Sequence, residues 1–372
     1  MSKRVLITGG AGFIGSHLAD ELTAHGYRVR ALDCLLPQVH GPGHKRPAYL
    51  NESVELIVGD VRDREAVEHA LEGVSAVFHL AAAVGVGQSM YEVARYTEIN
   101  DLGTAVLMEA LIRRPVRRLI VASSMSVYGE GLYRTADGAL MEPPERTREQ
   151  LGENHWELRG PGGEQLTPIP TPETKHPALS SVYALGKYDQ ERVCLLLGSA
   201  YGIPTVALRF FNVYGTRQAL SNPYTGVLAI FASRLLNKKP PLIFEDGLQQ
   251  RDFVSVRDVA RACRLALEVQ DAAGQVLNIG SGRPATVRAI ATQLADILGR
   301  SHLRPEITGR YRTGDIRHCF GDITRARRIL GYEPRVQLQD GLAELAEWLG
   351  TQVAVDRVDQ MRAELESRGL TV

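Results

Sequence analysis

The chain carries no excess of either charge and no long apolar run. Its 372 residues hold 43 Lys and Arg against 43 Asp and Glu, a formal net charge of +0 at pH 7. That balance argues against a nucleic-acid tail or a polybasic membrane anchor, so neither nucleic acid nor a membrane is expected as a partner. No apolar stretch approaches the roughly 18 residues of a membrane span, and no n-region with a cleavage site precedes the first strand, so neither export nor membrane insertion is expected. Cysteine is scarce: Cys34, Cys194, Cys263 and Cys319 lie far apart and form no CxxC pair. Neither a disulfide framework nor a cysteine zinc site is readable, which suits a reducing cytoplasm. The histidines and carboxylates show no metal-type cluster, so no metal is expected. No segment repeats at a fixed period. A chain of this length usually carries a large domain with a smaller lobe, or two domains.

What is present begins with VLITGGAGFIGSHLADEL, residues 5–22, a short apolar run that passes through a glycine cluster into an amphipathic stretch. Each glycine inside an element costs about 0.5–1 kcal/mol relative to alanine, so a cluster of them marks a required backbone geometry. Apolar runs at residues 4–8, 28–32, 54–58, 76–79, 118–122 and 205–209 alternate with helix-length patterns, the signature of a doubly wound parallel α/β sheet. Gly9, Gly12 and Gly15 follow the first run and open the first helix, where they permit a tight turn and a close approach to a pyrophosphate. Asp33 ends the second run, 18 residues after Gly15, where a carboxylate binds ribose hydroxyls and repels the extra phosphate of NADP. The expected cofactor is therefore NAD. Helical periodicity in 225–237, 256–269, 286–298 and 338–349 points to a second lobe interleaved with the first. The expected division is a Rossmann-type NAD domain from 1–208 and about 253–279, and a smaller α/β lobe from about 209–252 and 280–372. Val355, Val358, Met361 and Leu365 share a helical spacing that suits packing on the body.

Tyr183 and Lys187 stand four apart, one turn from each other on a helix face. A neighbouring ammonium, together with the positive nicotinamide, favours the phenolate and makes Tyr183 a base near neutral pH. Ser124 follows two residues after the fifth run, where a serine often caps the next turn.

TGGAGFIG, GDVRD at 59–63, HLAA at 79–82, SSMSVYG at 123–129, YALGK at 183–187, RFFNVYG at 209–215 and RDFVSVRDVA at 251–260 together resemble the extended short-chain dehydrogenase/reductase family, specifically its nucleotide-sugar epimerases. The likeness covers nearly the whole chain. NVYGTRQALSNPYTGVLAIFASRLL with IFEDGLQQRDFV is most similar to enzymes of the dTDP-L-rhamnose 4-epimerase type. The resemblance implies that Gly9, Gly12, Phe13, Ile14 and Gly15 hold the dinucleotide, with Asp33 on its ribose and Asp60 and Val61 flanking the adenine. It places Leu80, Ala81, Ala82 and Asn100, with Tyr183 and Lys187, along the nicotinamide. Ser124, Tyr183 and Lys187 are the implied catalytic set, and Ser124, Ser126, Asn212, Arg251 and Arg312 the implied substrate contacts. Arg217 and Arg317 are further candidates. A homodimer is implied, paired through residues 100–113 and the helix that begins near Ser181.

The neighbours of Ser124 bear on the reaction class. Related 4,6-dehydratases carry Thr-Asp-Glu before VYG, the two acids performing the elimination; here the three positions are Ser124, Met125 and Ser126. Methionine does not titrate and serine is a poor base, so elimination has no catalyst, and decarboxylating relatives also carry a glutamate where Ser126 stands. What remains is hydride transfer: Tyr183 takes the C4 hydroxyl proton as hydride passes to NAD, the 4-keto sugar turns over, and hydride returns to its other face. NAD is regenerated and acts as a prosthetic group. The expected activity is 4-epimerisation of a nucleotide-diphosphate sugar, such as dTDP-L-rhamnose. A UDP-hexose 4-epimerase and a 4-keto nucleotide-sugar reductase stay open, and a non-catalytic NAD-binding regulator would be expected to lose Tyr183 or Lys187. Between Tyr128 and Tyr183 lies a long Gly- and Pro-containing insert, about 130–180, that suits a cover over the sugar, a subunit contact or a disordered surface loop.

Overall fold

A computed structural model describes residues 3–224 and 226–371. Seven strands, β1 (Arg4–Thr8), β2 (Arg28–Asp33), β3 (Glu55–Val58), β4 (Ala76–His79), β5 (Leu119–Ser124), β6 (Thr205–Phe210) and β7 (Val276–Ile279), form one sheet in the order β7-β6-β5-β4-β1-β2-β3. Every pairing in it is parallel. The central strands β4 and β5 are buried along their whole length, which is why they read as continuous apolar runs without alternation. Each run legible in the sequence lies within one residue of its strand at the start and two at the end. β7 carried no such signal because Asn278 interrupts its apolar residues; its carboxamide takes the Tyr128 hydroxyl at 2.6 Å.

The longer helices on the sheet are α1 (Phe13–Ala24), α2 (Gly103–Arg113), α3 (Val182–Ala200) and α4 (Val256–Glu268), and the shorter Arg64–Ala70 and Thr324–Leu330 pack beside them. Alternate residues of one strand go to opposite faces. Val5 and Ile7 pack with Leu18, Leu22, Val259 and Cys263 in one core, while Leu6 joins Leu107, Leu111 and Cys194 in the other. The order reverses between β1 and β4, so the carboxyl ends of β1, β2, β4 and β5 open on one crevice, the place where open α/β sheets bind ligands.

A second sheet joins Asn212–Tyr214, Gln250–Ser255, Pro284–Thr286 and His318–Cys319. Gln250–Ser255 pairs first with Pro284–Thr286 and His318–Cys319, then with Asn212–Tyr214, and runs directly into α4. Helices Val227–Leu236, Val287–Ile297 and Leu338–Leu349 close a separate core around Phe231, Leu294 and Leu345. The final helix is Val358–Ser367; Val358, Met361 and Leu365 pack on Leu242 as the spacing implied, whereas Val355 precedes the helix and is exposed.

The insert is not a disordered loop. Leu132–Arg134 pairs antiparallel with Leu140–Met141 and Thr167–Ile169, and Arg148–Gly152 is helical with Thr147 as its cap. Buried charge ties it to the second lobe. Arg146 pairs with Glu245 at 2.8 Å and donates to the Asp315 carbonyl at 3.0 Å, and Glu157 meets Arg317 and His318. Strands of two or three residues leave no periodicity to read, and these anchors lie 99 to 169 residues away in sequence.

Beneath the crevice, Glu191 of α3 is fully buried and takes Arg209 of β6 through two hydrogen bonds, 2.7 and 2.9 Å, and Ser123 of β5 at 2.7 Å. Removing one partner of a buried pair strands the other charge, at about 3–5 kcal/mol. Glu191→Ala should lose that much in urea unfolding; a loss below about 1 kcal/mol would show that Arg209 finds another partner.

Candidate active site

The turn from β1 into α1 is set by sterics. Gly9 has φ +70°, and a Cβ on Gly15 would stand 2.3 Å from the Gly9 carbonyl oxygen. α1 therefore starts tight against the end of β1, with Gly12 at its N-cap and no side chain capping it. Its first turn, Phe13, Ile14 and Gly15, presents backbone N–H groups to the crevice, the geometry that holds a phosphate.

Asp33 is buried at the end of β2 and lies against this turn. Its Oδ2 accepts from Ala11 N at 3.0 Å, its Oδ1 from Leu35 N at 2.9 Å, and His40 Nε2 lies 3.6 Å away. Tyr49 donates to the Ala11 carbonyl at 2.9 Å, and burial followed by the Asp33 charge pushes its phenol up to about 12. Asp60 follows β3, held below its usual range by hydrogen bonds from Arg62, and Val61 beside it is buried.

After β4 the chain passes close under Gly9: Leu80 N donates to Thr8 O at 3.1 Å and Ala81 N to Thr8 Oγ1 at 3.2 Å. Ala82 is half-buried. Asn100 is fully buried and spends its carboxamide on Ala83, accepting from its N–H at 2.7 Å and donating to its carbonyl at 3.2 Å. It acts on this wall by fixing the backbone.

Ser124, Tyr183 and Lys187 come together where β5 meets α3. Ser181 caps α3, accepting from Ala184 N at 3.1 Å, and Ser89 Oγ accepts from Tyr183 N at 3.0 Å. The Tyr183 hydroxyl faces Ser124, whose Oγ receives Ser126 Oγ at 2.9 Å. Burial raises the Tyr183 phenol and the Ser124 hydroxyl pulls it back. Burial is the larger influence on this phenol, and among the described residues Lys187 gives it no hydrogen bond. Lys187 Nζ donates instead to Gln190 Oε1 at 2.7 Å, and burial pushes the ammonium down to about 8.

The arginines divide. Arg251 donates to the carbonyls of Gln250 and Arg317, each at 2.9 Å, and forms no ion pair among the described residues. Arg312 pairs with Asp315 at 2.9 Å and lies over Phe244 at 4.7 Å. Asn212 Oδ1 is buried without a hydrogen-bond partner among the described residues. Arg217 pairs with Asp20 of α1 at 2.8 Å and sits 5.8 Å over Tyr49, on the α1 side. Arg317 is corrected outright: it is fully buried among Glu157, Glu245 and Asp246, and those carboxylates leave it no role at a substrate phosphate. Sequence reasoning missed Ser89 and Gln190, because no spacing rule ties either to the YALGK motif.

A family model for the NAD dependent epimerase/dehydratase family matches residues 5–153 and 157–280. The chain belongs to that family. It is 36% identical to a dTDP-L-rhamnose 4-epimerase of Burkholderia thailandensis over 94% of this chain and 96% of that one. A Thermotoga maritima UDP-glucose 4-epimerase crystallised with UDP-glucose superposes with TM-score 0.75 at 33% identity, covering 93% of this chain and 98% of that one. A Thermus thermophilus UDP-glucose 4-epimerase in complex with NAD gives 0.73 at 31%, with 94% and 100% covered. Members of the family work with NAD, and the glycine turn, the uncapped start of α1 and the Asp33 carboxylate fit that cofactor's pyrophosphate and ribose.

Asp33 also holds Ala11 N, so its removal would loosen the loop along with any hold on a ribose. Asp33→Ala should weaken NAD binding to stripped protein about ten- to a hundredfold, the worth of one charge-assisted bond, read by calorimetry. Unchanged affinity would put the ribose elsewhere.

Proposed function

We propose that the protein is an NAD-dependent nucleotide-sugar 4-epimerase that inverts C4 through a transient 4-keto sugar, and that its substrate is a dTDP-6-deoxyhexose such as dTDP-L-rhamnose. The observation that carries the reaction class is Ser124 facing Tyr183, one turn from Lys187 on α3, with Met125 and Ser126 beside it, neither of which supplies an acid for elimination. The Burkholderia relative favours the 6-deoxyhexose, and the Thermotoga and Thermus structures favour UDP-glucose as the alternative.

NAD, when bound at Gly9, Gly12, Gly15 and Asp33, supplies reversible two-electron oxidation at C4 with no net consumption. Tyr183 accepts the proton of the C4 hydroxyl, and Ser124, facing the phenol, orients that hydroxyl. The Lys187 ammonium, one turn along α3, stabilises the phenolate so formed. Once the 4-keto sugar has turned about its phosphate bond, Tyr183 returns the proton to the C4 oxygen, and the configuration is inverted. The nucleotide diphosphate is held by the lobe of about 209–252 and 280–372. Asn212 offers it an unspent carboxamide, and Arg251 and Arg312 offer planar cations. A homodimer accompanies this reading, since Val93, Leu102, Leu185 and Leu196 leave an apolar face exposed on neighbouring helices. Its four free cysteines suit a cytoplasmic enzyme.

Purified protein incubated with dTDP-, UDP- and GDP-sugars without added cofactor should invert C4 of one of them, followed by NMR. Turnover that requires added NADH or NADPH would make it a reductase. Tyr183→Phe should lower turnover about 10²–10⁴-fold with NAD content nearly intact, and more than a tenth of normal activity would remove Tyr183 from its role. Light scattering at micromolar concentration should report a dimer; a monomer would refute the pairing.

A further inference from the structure

Lys187, Gln190, Thr104, His79 and Thr8 form one buried polar chain that joins α3, α2, β4 and β1. Its hydrogens can be assigned by counting donors. The Thr104 hydroxyl donates to the Asn100 carbonyl at 2.6 Å, so Thr104 Oγ1 is left as an acceptor. His79 Nε2 lies 2.8 Å from that oxygen and must carry a hydrogen, which leaves Nδ1 to accept from the Thr8 hydroxyl at 2.8 Å. His79 is accordingly neutral, pushed down to about 3 by burial and then by the Lys187 charge. Gln190 Nε2 lies 2.9 Å from Thr104 Oγ1, 3.2 Å from His79 Nε2 and 3.3 Å from the Ala81 carbonyl; with His79 Nε2 carrying a hydrogen, the two amide hydrogens go to Thr104 and Ala81. With both amide hydrogens committed, the carboxamide cannot flip without turning its oxygen onto the Ala81 carbonyl. That oxygen faces Lys187 at 2.7 Å.

We propose that Gln190 is the positioning residue of Lys187, fixing its ammonium on the face of α3 that carries Tyr183 and coupling it through Thr104 and Ala81 to the wall after β4. The proposal rests on the reading of Lys187 as part of the 4-epimerase site. The other charged or titratable groups around the ammonium are Glu191 and Cys194 on α3, Tyr183 one turn away and His79 on β4. Glu191 is already spent on Arg209 and Ser123, and His79 is uncharged, so the acceptor that touches Lys187 is a neutral amide. A neutral acceptor orients a cation without the strong upward shift that a carboxylate would impose. Lys187 thus stays charged below about 8 and loses its proton above it, and turnover should fall on the alkaline side there.

The test uses the full-length, NAD-loaded protein carrying Gln190→Met or Gln190→Glu. Methionine keeps the volume and removes the acceptor, so the alkaline limb of kcat should move down by about one pH unit, and NAD affinity of the stripped protein should fall about tenfold. Glutamate should move the limb up by about one unit or more. Displacements of opposite sign support the proposal; limbs within about 0.3 unit of the parent, with unchanged NAD affinity, overturn it. A helix brace with no bearing on Lys187 would change the melting temperature and leave the limbs in place. Should either variant fail to fold, side-chain NMR of Lys187 in the parent protein decides: a slowly exchanging ammonium bonded to the Gln190 carbonyl supports the proposal, and a rapidly exchanging one overturns it. Lys187→Met separates the two readings. If it retains C4 inversion, Lys187 is no part of the site and the reading on which the proposal rests fails; if it is inactive while the Gln190 limbs stay put, the positioning role alone fails.

Discussion

The structure depends on how closely three backbone segments approach at the reversal of strand order. Gly9 turns beneath Ala81, and a Cβ there would stand 3.0 Å from Ala81 N. Gly15 lies so near the Gly9 carbonyl that no side chain fits between them. That contact seats the start of α1 at the end of β1, brings Ala11 N to the Asp33 carboxylate, and sets Thr8 to bind the chain after β4. A side chain at Gly9 or Gly15 would therefore disturb the cofactor cradle and the wall of the crevice together, and through Thr8 and His79 the disturbance would reach the network under Lys187.

Buried charge is used in two ways. In Glu191 with Arg209, and in Arg317 among Glu157, Glu245 and Asp246, opposite charges saturate one another and hold elements together. Such pairs have little capacity left for a ligand, since each hydrogen-bonding position is filled. Lys187 is the contrast. Burial destabilises its charge and its direct partner is a neutral amide, so its field remains available to the phenol one turn away. The same distinction separates the arginines of the second lobe: Arg251 is bound by carbonyls and keeps its charge uncompensated, whereas Arg317 does not.

The family embraces epimerases and dehydratases on one scaffold, and the scaffold does not choose between them. The choice lies in side chains beside Ser124. Met125 and Ser126 are buried, and the Ser126 hydroxyl is turned to Ser124. Neither is a group that removes a proton from carbon.

The residues of the glycine turn, Asp33, and the Ser124, Tyr183 and Lys187 set were legible in the sequence, as were the six apolar strands. Each is a local pattern: a turn that no Cβ allows, a short apolar run, two side chains one helical turn apart. Tertiary structure decided the rest. It folded the insert by pairing Arg146 and Glu157 with residues far along the chain, withdrew Arg317 from the site by surrounding it with carboxylates, and placed Gln190 against Lys187, Thr104 and Ala81 at once. The physical reason is that burial and partner identity determine what a polar side chain has left to offer, and both depend on residues distant in sequence, which local spacing does not encode.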